Sequence, residues 1–259
     1  MIRTESLDPD KIREGLQTRH IGSQVVVFDS TSSTNDRAAQ YGRNPDNHGL
    51  AIFAEQQEAG RGRAGHRWLS PPGAGILCSI VLIDSPLRSE LLSLTAAVAL
   101  AEAIGGGARI KWPNDILLNG KKVSGILLDA SVCDTHRIHC LGIGINCHQG
   151  RDDFPESLRD SATSLDIETG LRVDRVVLAK RLLAALDLWM ERAASDEAAV
   201  VQQWQQASLQ LAHRVTLCFN GERFTGNCIG VDPQHGLILQ LDHGGVRMFE
   251  AAHSSIVKE

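Results

Sequence analysis

The dipeptide Asn119-Gly120, set between the apolar runs Ala108 to Trp112 and Lys122 to Ala130, constrains the fold more than any other local signal. A two-residue hairpin needs φ > 0 at its central positions, which asparagine and glycine tolerate, so the flanking runs are predicted to be antiparallel neighbours. Ile138 to Ile145 is a third strand candidate. Earlier in the chain, Gln24 to Phe28, Leu50 to Glu55 and Gly75 to Ile83 read as strands. Antiparallel strands interrupted by helical stretches make an α+β domain.

Helices are marked by their caps and spacing. Asp8-Pro9 opens a short helix carrying Ile12 and Leu16, and Asp36 to Tyr41 makes a brief second one. Ser89 is predicted to cap a helix through Ile104, with Leu91, Leu94, Thr95, Val98 and Ala101 on one side. A long helix starts near Asp174 and carries Leu178, Leu182, Leu186 and Trp189; another covers Glu197 to Gln206.

From His213 the pattern changes. Val215 to Phe219, Arg223 to Val231, Leu237 to Leu241 and Val246 to Glu250 are short strands separated by Asn220-Gly221, Asp232-Pro233 and Gly244-Gly245. The expectation is a small all-β barrel, residues 211–259, appended to an α+β domain of residues 1–210.

Composition excludes several classes. A formal charge of -5 leaves no chain-wide electrostatic footprint for nucleic acid. No run of eighteen or more apolar residues occurs, and Met1 to Pro9 lacks a basic stretch followed by an apolar one, so a cytoplasmic protein with no membrane partner is expected. The six cysteines form no C-x-x-C pair and fall mostly in apolar segments, where they read as reduced and structural. Cys133, His136, His139 and Cys140 alternate across a turn into a strand, which argues against zinc.

Three stretches carry chemistry. In Glu55 to Trp68, Gly60, Gly62 and Gly65 permit close backbone approach, while Arg61 and Arg63 are near enough to converge on one phosphate or carboxylate. A solvated basic loop is the alternative. The stretch is not a Walker A loop, since no G-K-S/T follows, and not the G-x-G-x-x-G fingerprint with a downstream acidic ribose ligand. Lys111-Trp112-Pro113-Asn114-Asp115 places a lysine, an amide and a carboxylate together, suited to a triphosphate and Mg²⁺, although an ordinary strand-to-turn transition has the same local pattern. Lys122 enters a strand beside Gly125, where its amine either points at a ligand across the sheet or is a solvated edge residue. Gly142-Ile143-Gly144-Ile145-Asn146 repeats glycine inside an apolar strand, a sign of close approach by something else.

Ser33-Thr34-Asn35, the loop Gly60 to Trp68, Lys111 to Asp115, Lys122 to Leu127 and Gly142 to Asn146 follow the order seen in biotin protein ligases, which this chain resembles from about Val25 to the C-terminus. The resemblance implies a class II synthetase-like mixed, largely antiparallel sheet packed with helices, plus a C-terminal SH3-like β-barrel. It implies that Ser33, Thr34, Gln57, Gly60, Arg61 and Lys122 line a biotin pocket, and that Arg63, Lys111 and Asn114 serve ATP with Asp115 on Mg²⁺. Asn35, Trp68, Gly125, Gly142, Gly144 and Asn146 complete the expected binding set; Arg61, Arg63, Lys111 and Lys122 are the expected catalytic cations.

Asp160 to Gly170 resembles, more loosely, the family's adenylate-binding loop. The implied activity is ATP-dependent formation of biotinyl-5'-AMP and transfer to a lysine of the biotin carboxyl carrier protein of acetyl-CoA carboxylase, by a monomer or weak homodimer. Ala64 and His66 replace the basic residues common in the family, and Asp129 stands where glutamate is common. The twenty residues before Ile21 are too few for the helix-turn-helix repressor domain of some relatives, so no DNA partner is expected. The alternatives are a lipoate or other acyl ligase on the same scaffold, and a non-catalytic binding module.

Overall fold

The computed structural model describes residues 6–257; the first five residues of the segment read for an export signal lie outside them. The chain runs α1 (Pro9–Arg13), β1 (Val25–Thr31), α2 (Thr34–Tyr41), β2 (Ala51–Gln57), β3 (Gly75–Ile83), α3 (Ser89–Ile104), β4 (Arg109–Lys111), β5 (Asp115–Leu118), β6 (Lys121–Cys133), β7 (His136–Asn146), α4 (Leu165–Thr169), α5 (Arg175–Ser195) and α6 (Glu197–Ala207). There follow β8 (Arg214–Phe219), β9 (Glu222–Asp232), β10 (Gly236–Leu241), β11 (Val246–Phe249) and β12 (Ser254–Ile256).

The first seven strands form one sheet in the order β1-β2-β3-β7-β6-β5-β4. Only β1 and β2 pair in parallel; every other pair is antiparallel. β3 sits inside this sheet with both faces covered, which explains its unbroken apolar run. Ile52 and Val81 face a small core under α2, while Phe53, Ile80 and Leu82 face the main core under α3 and α5.

Three sequence expectations need correction here. The hairpin at Asn119-Gly120 joins β5 to β6 rather than Ala108–Trp112 to β6, because the four residues Asp115–Leu118 form a strand of their own. Ser89 does not cap α3: it is the first helical residue, Arg88 occupies the cap position, and the Ser89 hydroxyl lies 3.2 Å from His139 Nε2. Nor is α3 apolar on one side only. Leu92, Ala96, Ala97, Ala99 and Leu100 are buried along with the expected face, because the helix lies between the sheet and α5 and α6. Each such leucine contributes about 1.5–3 kcal/mol by leaving water.

Side-chain caps fix the helix ends. Asp174 accepts from the Val176 and Val177 amides at the start of α5, as its position suggests. Further along α5, Asp187 accepts from the amides of Arg19, His20 and Ile21 at 2.7–2.9 Å, anchoring the segment that leads into β1.

The expected C-terminal barrel is overturned. Its strands form an open sheet in the order β11-β10-β9-β8-β12, and the two edge strands do not pair with each other among the described residues. The edges are too short to close a barrel, at four residues in β11 and three in β12. Nor does the apolar face need closure: Leu217, Cys228, Val231, Leu237, Leu239 and Phe249 belong to the same continuous core as Trp204 of α6 and Trp112. Trp112 further donates through Nε1 to Ser254 Oγ at 2.9 Å. None of the described helices is long and apolar enough to cross a membrane.

Candidate active site

β1 runs almost directly into α2, so the first turn of that helix presses Ser33, Thr34 and Asn35 against the sheet. All three are buried polar residues and therefore need partners. The Thr34 amide donates to Gln57 Oε1 at 2.7 Å, and the Thr34 hydroxyl lies 3.0 Å from the same oxygen. Ser79 Oγ, from the middle of β3, lies 2.7 Å from Thr34 Oγ1 and 2.6 Å from Asn35 Oδ1. Asn35 Nδ2 donates to Asp129 Oδ2 at 3.0 Å. At Gly142 a Cβ would sit 2.4 Å from Asn35 Oδ1, so a glycine there makes room for this amide.

The stretch after β2 is read as a loop, and it folds back on itself as a narrow ribbon. Trp68 N donates to Gly60 O at 3.0 Å, Gly62 N to His66 O at 2.7 Å, and the tip turns at Ala64 with φ 52°. A Cβ at Gly60 would meet the Trp68 carbonyl at 2.5 Å, so this glycine serves the ribbon and stands off the cavity wall. Arg61 extends from the ribbon to Asp36 at 2.9 Å and Asp129 at 3.0 Å.

Trp68 lays its indole over the glycines of β6 and β7. A Cβ at Gly144 would fall 2.3 Å from its ring and one at Gly125 3.2 Å away, while Lys122 Nζ stands 5.6 Å from the ring centroid. Among the described residues the buried Trp68 Nε1 has no hydrogen-bond partner. Lys122 is not a solvated edge residue: its ammonium pairs with Asp115 Oδ1 at 2.6 Å. Asn114 is held by its amide donating to Ile126 O at 2.7 Å.

Arg63 lies deeper than its loop position suggests. Its guanidinium donates to Asn114 Oδ1 at 3.3 Å, to the carbonyls of Ala252 and Ser254 at 3.1 and 3.3 Å, and to Ala251 O. Burial lowers its pKa from the ordinary arginine value, against the pull of Asp115 and Glu90.

Apart from Asp36, Gly60, Ser79, Glu90, Asp129 and Ala251, which stand off its wall, the residues that meet here surround one cavity of about 740 Å³, which is also lined by Lys111, Gly125, Gly142, Gly144 and Asn146. Asn146 donates to Thr163 O at 3.0 Å, and Lys122 exchanges backbone hydrogen bonds with Ser161 and Thr163. The segment expected to act as the adenylate loop thus brings Ser161 and Ala162 onto the wall. Along the sheet, the β2–β3 side offers neutral hydrogen-bonding groups, and the β4–β6 side offers Arg63, Lys111 and Lys122 with Asp115. A molecule with a neutral polar head and a polyanion match those two sides.

Sequence reasoning missed Ser79 and Asp36, and missed the contribution of Cys218 and of Ala252 to Ile256 to the wall. Nothing local marks these residues. They reach the site through pairings between distant parts of the chain.

Comparison with known proteins agrees with this geometry. The Biotin/lipoate A/B protein ligase family profile matches residues 27–146. The bifunctional ligase/repressor BirA of Bacillus spizizenii is 34% identical over 95% of this chain and 78% of its own length. A biotin–[acetyl-CoA-carboxylase] ligase of Mycobacterium tuberculosis is 30% identical over 96% of each chain. The biotin protein ligase of Aquifex aeolicus, solved in complex with biotin and ATP, superposes with a TM-score of 0.78 at 25% identity, covering 92% of this chain and 100% of that one. On its sequence relatives and its fold alike, this chain belongs to the biotin/lipoate A/B protein ligase family, as one of its biotin protein ligases.

Proposed function

We propose that the chain activates biotin with ATP and transfers it to a lysine of a carrier protein, the carrier being the biotin carboxyl carrier protein of acetyl-CoA carboxylase. The observation that carries this is the single cavity in which Thr34 and Gln57 meet one side of the sheet and Arg63, Lys111 and Lys122 the other. A carboxylate is a poor acyl donor because its leaving group would be oxide. In the first step the biotin carboxylate attacks the α-phosphorus of ATP, pyrophosphate leaves, and biotinyl-5'-AMP remains. Arg61, Arg63, Lys111 and Lys122 offset repulsion between the anions and stabilise charge on the transferring phosphate. In the second step the carrier's lysine amine attacks the biotinyl carbonyl and AMP departs.

The ring of biotin lies, in this reading, against Trp68, Gly125, Gly142 and Gly144, with Ser33, Thr34, Asn35 and Gln57 at its ureido group. Asn146 holds the segment that covers the adenylate. Mg²⁺ belongs with the triphosphate. Asp115 and the Asn114 amide oxygen are hard donors, and one carboxylate is enough for an ion that keeps waters and phosphate oxygens as its other ligands. Asp115 would hold that ion, which supplies charge neutralisation at the phosphates. Residues 1–210 form the catalytic unit in this reading, and residues 211–259 complete its wall.

The test is intact-mass measurement of a biotin carrier domain incubated with the protein, biotin, ATP and Mg²⁺, beside pyrophosphate exchange. A single biotinyl adduct that requires ATP is expected. Exchange with lipoate but not biotin would transfer the assignment to the lipoate ligases.

A further inference from the structure

Three contacts around Thr34 share two hydroxyl protons. The Thr34 hydroxyl is close to Gln57 Oε1, at 3.0 Å, and to Ser79 Oγ, at 2.7 Å; Ser79 Oγ is also 2.6 Å from Asn35 Oδ1. Asn35 cannot supply a proton to Ser79, because its Nδ2 faces the Asp129 carboxylate at 3.0 Å and the Leu127 carbonyl at 3.4 Å, both acceptors. Asp129 is itself ion-paired with Arg61. The oxygen of Asn35 therefore faces Ser79, and the shortest contact of the set takes the Ser79 proton. Ser79 then has only lone pairs for Thr34, which must donate its own proton inward. Gln57 Oε1, which takes the Thr34 amide at 2.7 Å, keeps a second lone pair 3.0 Å from the Thr34 hydroxyl, so the Thr34 proton has two inward acceptors, of which Ser79 Oγ is the nearer.

We propose that Ser79, acting from behind the cavity wall, is a specificity-determining positioning residue that makes the Thr34 hydroxyl a pure hydrogen-bond acceptor toward the ligand. The proton order runs Thr34 to Ser79 to Asn35 Oδ1, with Asp129 fixing the sense of the amide. Ser79 is fully buried and touches no part of the cavity, whereas Thr34 lines it. A ligand bearing a ring N–H against Thr34 is accepted; one bearing a ring oxygen or ether there meets lone pairs and is rejected. The inference rests on the proposed biotin-binding reading and gives that site a direction: it selects the donor edge of a cyclic urea rather than its shape alone. Rejection of a ligand that leaves a site's polar group unpaired is a strong form of discrimination.

The experiment measures Kd for biotin and for two analogues, in each of which one ureido N–H is replaced by oxygen, on the native chain and on Ser79→Ala. On the native chain at least one analogue should bind about tenfold or more weaker than biotin, a step of that size being what one lost hydrogen bond produces. Removing the Ser79 hydroxyl takes away the nearer inward acceptor and leaves the Thr34 proton only the 3.0 Å contact to Gln57, so that it can turn outward toward the ligand. Biotin should then weaken while that analogue holds or gains, so that their ratio falls to within about threefold. A role in packing alone would weaken all ligands together and leave the ratio unchanged, and that result overturns the proposal. So does a native chain that binds biotin but discriminates neither analogue. If Ser79→Ala does not fold, the same ratio is read on Ser79→Cys, which keeps the volume and supplies only a weak donor. A native chain that binds no biotin at all sinks the functional reading itself, a distinct outcome.

Discussion

Arg63 donates to the carbonyl of Ala252 at 3.1 Å, across 189 residues of sequence, and so ties the glycine-rich ribbon to the C-terminal sheet. The same side chain is the one proposed to meet the nucleotide. Arg63→Ala is expected to reduce biotin-dependent pyrophosphate exchange by about 10²-fold, the usual effect of losing one charged donor at a reacting phosphate. Biotin affinity should change by less than about threefold, since Arg63 lies on the β4–β6 side of the cavity. Removing it also strips a donor from the carbonyls of Ala251, Ala252 and Ser254, so the melting temperature should fall by roughly 2–4 °C. Equal small losses in exchange and biotin binding would remove Arg63 from the nucleotide role.

Lys122 pairs with Asp115 and spans the Trp68 ring. Both partners are partly exposed, so their pairing adds little stability. Lys122→Ala should therefore melt within a few degrees of the native chain, yet lose about 10²-fold in adenylate formation if the ammonium faces the reacting anions. Lys122→Arg restores charge but not the compact ammonium, and should recover only part of the rate. Near-normal kinetics in Lys122→Ala would reject its catalytic assignment.

The sequence discloses most clearly what local chemistry decides. β3 shows itself as nine consecutive apolar or small residues, α5 by its Asp174 cap, and the β5–β6 turn by Asn119-Gly120. β5 escapes notice because its four residues begin at Asp115, the last residue of the Lys111–Asp115 motif, where a turn and a strand start look alike. β12 is three residues long and pairs with β8 far upstream. The open form of the C-terminal sheet depends on how Trp112 and α6 meet its apolar face, which no periodicity encodes. In the site, Gly62, Gly125, Gly142 and Gly144 meet the cations Arg61, Arg63, Lys111 and Lys122 around one cavity, while Gly60 and Gly65 stand off it. Ser79 does not announce itself, because one small residue in a buried strand reads as packing.

Gly144→Ala tests the stacking of Trp68. The added Cβ would fall 2.3 Å from the indole, in a strand paired on both sides, with β3 and β6. Trp68 must swing away, so its fluorescence should shift to the red, and biotin binding should weaken at least about tenfold. Circular dichroism should be unchanged, because Gly144 is not among the glycines with φ > 0 and alanine can take the same backbone. An unshifted spectrum with normal binding would show that the indole does not rest on β7.

The cysteines offer a check on the cavity that needs no substitution. Burial pushes the thiols of Cys140 and Cys147 up to about 12 and raises those of Cys78 and Cys228. A thiol with a pKa near 12 is only on the order of 10⁻⁴ thiolate at pH 8, and the thiolate is the nucleophile. The four should therefore resist alkylation of the native protein at pH 8, while the partly exposed Cys133 and Cys218 react. The two reactive thiols differ in place: Cys218 lines the cavity and Cys133 ends β6 away from it. ATP with biotin should slow labelling of Cys218 by about tenfold or more and leave Cys133 untouched, as expected when a ligand covers one thiol and not the other. Peptide mapping of the alkylated chain reads both rates at once. Protection of Cys133 as well, or of neither, would mean that the bound ligands do not reach the wall built by the C-terminal sheet.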